Sequence, residues 1–132
     1  AEPHHVTIGL ENRYHYHEIP QPDEYDQLLD GLSLEQAGYW HDTGHAQVFE
    51  NLGLSKHLEY LERFSSRLIG VHLHDVKGTI NDHNAPLTGD FDFSILRPFI
   101  NKDTIKILEP HQPATKEEIK KALKYLRDIF GE

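Results

Sequence analysis

The sequence predicts an α/β fold built on a parallel sheet. Short apolar, partly β-branched runs alternate four times with helical stretches, which is the pattern of repeated βα units. Leu68, Ile69, Val71 and Leu73 form a nearly continuous apolar run, as expected of a strand covered on both faces.

Residues 6–10 read as the first strand, ending at Glu11. Pro20, Pro22 and Asp23 then open a helix expected to reach Leu32, with Tyr25, Leu28, Leu29 and Leu32 at helical spacing. Residues 38–41 form the second strand, ending at Asp42, and helices are expected over 46–52 and 56–64. The third strand covers 67–73. A loop rich in Gly, Asp, Asn and Pro follows over 74–90, then a short helix within 91–100. The fourth strand covers 104–108 and ends at Glu109. The last helix, 115–130, is expected to bury Ile119, Leu123, Leu126 and Ile129, with Thr115 and Glu118 as a capping box. Four units in 132 residues average about 33 each. Eight would reach roughly the 250 residues of a complete (β/α)8 barrel, so residues 1–132 are expected to form a (β/α)4 half-barrel. Such a half is either a fragment of a longer chain or a self-assembling unit, and the expected partner is a second copy or the missing N-terminal half.

Composition narrows the function. There are no cysteines, so disulfides and thiolate metal sites are excluded, and any metal must be held by nitrogen and oxygen. The formal charge of −9 argues against a nucleic-acid surface. No membrane span or signal segment is legible, which makes the cytoplasm the default expectation. Of the 11 histidines, at least half read as ordinary polar residues, among them His4 and His5 before the first strand.

The chemistry gathers at one recurring place. Glu11, Asp42, His72 with His74, and Glu109 each lie at or just past the C-terminal end of a strand, and in a barrel those ends share one mouth. An acid after a strand is commonly a helix cap; four such positions, one of them His, point to a metal site. Three carboxylates and an imidazole make a fairly hard donor set, suited to one divalent ion: Mn²⁺, Co²⁺ or Mg²⁺, with Zn²⁺ admitted. His41 and His45 have the spacing of an H-E-x-x-H zinc helix, but residues 39–40 read as strand and Gly44 as a helix interruption, so that reading is set aside. His15 and His17 alternate with aromatics and either line the mouth or belong to the loop. Arg13 and Lys77 are candidates for a substrate phosphate or carboxylate.

Leu10-Glu11-Asn12, Asp42-Thr43-Gly44-His45, Gly70-Val71-His72-Leu73-His74-Asp75 and Ile107-Leu108-Glu109 resemble the last four strand ends of the xylose-isomerase-like TIM barrel superfamily. That superfamily includes sugar-phosphate isomerases and epimerases and apurinic-site endonucleases, and the resemblance covers the chain as the C-terminal half of the barrel. It implies Glu11, Asp42, His72 and Glu109 as metal ligands, with Glu11 and Glu109 also catalytic, passing a proton to and from a substrate carbon through an enediolate. It implies a sugar or sugar-phosphate substrate contacted by His45; His74, Arg13 and Lys77 are further substrate-binding candidates by their own positions. In the endonucleases His45 would instead hold a further metal, and Asp82-His83 resembles the place where that metal sits. Leu87-Thr88-Gly89-Asp90 resembles the family's glycine-containing loop without its second glycine. The alternatives to an isomerase are a metal-cluster phosphodiesterase and a non-catalytic metal-binding half-barrel.

Overall fold

The computed structural model describes residues 6–15 and 17–131, so His4 and His5 lie outside the described residues. In chain order the elements are β1 (Ile8–Glu11), α1 (Tyr25–Leu29), β2 (Ala37–Asp42), α2 (Thr43–Asn51), α3 (His57–Phe64), a first 3₁₀ turn (Ser65–Arg67), β3 (Leu68–Leu73), β4 (Asp75–Lys77), β5 (Asn81–Asn84), a second 3₁₀ turn (Phe93–Leu96), β6 (Ile105–Leu108) and α4 (Lys116–Phe130). β1, β2, β3 and β6 form one parallel sheet in that order, as the βα repeat predicts.

Alternation along the strands sorts the side chains to two faces. On the outer face, Tyr39 and Leu10 meet Tyr25, Phe49, Tyr60 and Phe64 from α1, α2 and α3. Val71, Leu73 and Leu108 meet Phe93, Leu96 and Leu126 from the second 3₁₀ turn and α4. The inner face carries Trp40, and glycines make room for its indole. A Cβ on Gly70 would lie 2.3 Å from the Trp40 ring, and one on Gly9 would lie 3.0 Å from it. Ile105 and Ile107 on β6 remain 54% and 41% exposed.

Several expectations are corrected. α1 is only five residues long. Asp30 turns extended and Gly31 takes a positive φ of 72°, so the chain leaves the helix before Leu32, and Leu28 and Leu32 stay exposed. α2 starts at Thr43, directly after the strand, and Gly44 lies inside its first turn instead of interrupting it. The segment read as an open loop contains the antiparallel hairpin β4–β5; its strands are too short and polar to show alternation. α4 has the expected capping box, but Ala122 and Leu126 are its buried residues while Leu123 is 41% exposed.

Candidate metal centre

The parallel register brings the strand ends level. Asp42 pairs with His72 across β2 and β3, and the backbone N–H of Glu109 donates to the Leu73 carbonyl just past β6. The four side chains expected at the mouth do come together. His72 Nδ1 lies 2.8 Å from Glu11 Oε1, 3.1 Å from Glu109 Oε2 and 3.6 Å from Asp42 Oδ2. Carboxylates from both outer strands and the middle of the sheet therefore converge on one imidazole nitrogen. Asp42 forms overlapping ligand-sized groups with Glu11 and His45, and with His74 and Glu109, whose donor atoms lie within 4.8 Å of one another.

This crowding sets the electrostatics. His72 is pushed up to about 10, by pairing with Asp42 first and then with Glu11 and Glu109, against the lowering effect of burial. Glu11 is nearer, but Asp42 is fully buried and its charge is less screened. Burial acts to raise the Asp42 carboxyl, yet His72 and His74 outweigh it and hold the group well below its usual range. A nitrogen facing three carboxylates takes a proton when it has nothing better; a divalent cation is the better occupant for that donor set. The residues thus fit the ion that the strand-end pattern implies.

Asp42 is fixed from behind. Its backbone N–H donates to Asn12 Oδ1 at 2.7 Å, and its carbonyl accepts from Asn12 Nδ2 at 2.9 Å. Its side chain caps α2 by accepting the His45 N–H at 2.8 Å. His45 Nδ1 donates to the Asn12 carbonyl at 2.9 Å, which leaves its Nε2 with a free lone pair. Asn12 was not among the expected site residues, although its place directly after Glu11 was a signal. Tyr14 was also missed; its ring packs 4.8 Å from that of His45.

The remaining candidates are placed as follows. The Arg13 guanidinium bridges Glu11 at 3.2 Å and Glu18 at 3.1 Å. His15 and His17 stack on each other at 5.3 Å in the following loop, and Tyr14 links His15 to the mouth. His74 is fully buried behind Asp42 and does not line the open mouth. Lys77 stands on β4 in a polar cavity of about 400 Å³ that also takes in Asn81, Asp82, His83, Thr88 and His111. His83 lies in van der Waals stacking with both His74 and His111, at 4.0 and 3.8 Å. Asp82 Oδ2 is buried without a hydrogen-bond partner. His41 lies on β2 and His45 on α2, so the pair is not the i, i+4 face of one helix.

Comparison with known proteins agrees with this architecture. The family described as xylose isomerase-like TIM barrel matches residues 1–129. Uncharacterized protein y4fM of Sinorhizobium fredii is 35% identical over 72 residues, a segment that is 54% of this chain and 22% of that relative. No solved structure matches the chain. With nearly its whole length matched, and with a parallel sheet whose strand ends carry the polar residues, the chain belongs to the xylose isomerase-like TIM barrel family.

Proposed function

We propose that this chain supplies the metal-binding half of a divalent-metal-dependent isomerase or epimerase acting on a sugar or sugar phosphate. The observation that carries the reading is the convergence of Glu11, Asp42 and Glu109 on His72 Nδ1. One Mn²⁺, Co²⁺, Mg²⁺ or Zn²⁺ ion held by these four residues would supply Lewis acidity that makes the C–H beside a substrate carbonyl more acidic. Glu11 and Glu109 stand at the ends of the two outermost strands, which supports a reading in which they flank the reacting carbon. The ionised one takes the proton from the substrate carbon, the protonated one gives its proton to the opposite face, and exchange with solvent resets both carboxyl groups before the next turnover. His45, with Nδ1–H tied to the Asn12 carbonyl, is set to accept a hydrogen bond from a substrate hydroxyl through Nε2.

The other half of the pocket must come from elsewhere. β1 and β6 have unpaired edges among the described residues, and Ile105 and Ile107 leave apolar surface on the inner face. Four further strands, from the rest of a longer chain or from a second copy, would cover both.

The test uses the complete protein loaded with Mn²⁺ and a panel of ketoses and their phosphates in D₂O. Deuterium entering at the carbon beside the carbonyl is expected, and its loss in Glu109→Gln ties it to the centre. A folded, metal-loaded protein that exchanges no substrate proton would sink the reading. One observation favours a second reading: His45 and His83 belong to one ligand-sized group, as the further ion of an endonuclease-type phosphodiesterase would require, and Asp82 next to His83 has a buried oxygen without a hydrogen-bond partner. Two or three ions per chain, one of them lost in His45→Ala, would support it.

A further inference from the structure

His74 occurs in two of the ligand-sized groups around the mouth, yet its hydrogen bonds leave it no lone pair for a metal. The backbone N–H of His83 can only donate, and it meets His74 Nδ1 at 2.8 Å, so Nδ1 is the acceptor. The proton of the neutral ring then sits on Nε2, which lies 2.9 Å from Asp42 Oδ1 and 3.0 Å from Oδ2 and donates to that carboxylate.

The segment Asp42-Thr43-Gly44 is shaped around this ring. Thr43 Oγ1 donates to the His74 carbonyl at 2.9 Å and accepts its N–H at 3.1 Å, fixing the backbone on both sides. A Cβ on Gly44 would stand 2.0 Å from His74 Cε1, so only glycine leaves the ring its place. The donor of the second bond, His83, holds a left-handed backbone with φ 53°, an uncommon conformation for a residue with a side chain.

We infer that His74 is a positioning residue for the metal centre: it locks the rotation of the buried Asp42 carboxylate through Nε2–H and ties that ligand to strand β5 of the hairpin through Nδ1. This rests on the proposed metal centre and adds to it a dependence of metal affinity on a residue that touches no metal. Partners placed behind a ligand in this way are worth about 10- to 100-fold in metal affinity when removed.

The experiment uses the complete protein and Co²⁺, followed by calorimetric titration and by the visible absorption of the bound ion. His74→Phe fills the space without the two hydrogen bonds and should weaken Co²⁺ binding by about 10- to 100-fold with an altered spectrum. His74→Gln, which can both donate and accept, should recover most of that loss. A folded Phe variant within twofold of wild type, with an unchanged spectrum, would overturn the inference while leaving the centre standing. Wild type that binds no Co²⁺ would overturn the centre and this inference with it. Should the Phe variant not fold, the ¹⁵N signals of the His74 ring in the metal-free wild type decide: a protonated Nε2 with a bare Nδ1 supports the assignment, and the opposite tautomer overturns it.

Discussion

His72 and His41 stand on neighbouring strands, one register step apart, and their surroundings drive them in opposite directions. His72 points to the inner face, where three carboxylates lift it to about 10. His41 points outward under α3, fully buried, and loss of solvent pulls it down to about 3 despite the nearby Asp42 charge. It is neutral there, bonded to Tyr39 through Nδ1 at 2.7 Å and to His57 Nε2 at 2.8 Å. His57, stacked on Phe91, is likewise held well below its usual value by burial. One residue type thus serves as a charged hub on one face and as a neutral core group on the other. What separates the two roles is whether close counter-charges or the loss of solvent dominates.

The largest effect should come from breaking the inner face. Glu109→Gln in the complete protein is expected to lower turnover by about 10²- to 10⁴-fold, since it keeps the shape and one ligand oxygen but removes an acid/base group. Steady-state rates with Co²⁺ bound check this, and turnover within a few-fold of wild type would remove Glu109 from the chemistry.

The inner face also has a pH signature. A proton sits on His72 in the metal-free protein, so an incoming ion must displace it. Metal affinity should rise by about tenfold per pH unit between roughly pH 6.5 and 10, with one proton released per ion, measurable by calorimetry in buffers of different ionisation heat. The metal-free protein should behave oppositely. Its His72 contribution is fully present below the unfolded value near 6.5 and is lost as pH rises through about 10.

The outer face should respond to acid. His41 is protonated near 6.5 when unfolded but only near 3 when folded, so its contribution is present above pH 6.5 and fades as pH falls towards 3. His57→Leu leaves His41 Nε2 without its partner and should cost about 1–3 kcal/mol in chemical denaturation while leaving Co²⁺ affinity unchanged. A loss of metal binding in that variant would show the two faces to be coupled. The smallest effect is expected from Lys77→Ala, an exposed residue away from the converging carboxylates: stability should change by less than about 0.5 kcal/mol. The same variant tests whether Lys77 contributes to substrate affinity.

The four strand ends were legible because parallel strands carry their own signature and place their ends at one level whatever the intervening loops do. Glu11, Asp42, His72 and Glu109 could therefore be grouped without knowing any contact. His74 was legible as a strand-end residue but not as a buried one. Its position depends on Thr43 and Gly44, about thirty residues away, and on a hairpin whose polar strands have no periodic pattern. Gly44 misled for the same reason: as a local signal it interrupts a helix, and only the neighbouring imidazole explains it. The stripe on α4 holds at Ile119, Leu126 and Ile129 and fails only at Leu123, which stays 41% exposed while the neighbouring Ala122 is buried.

Trp40 has a consequence for traffic. Its indole lies against Gly9 and Gly70 directly below the centre, edge-on to the His72 ring at 5.2 Å. If the sheet closes into a ring as proposed, that indole would floor the chamber beneath His72 and leave it a cul-de-sac. Reactant and product would then share one doorway at the strand ends, and each product molecule would have to leave before the next reactant could enter.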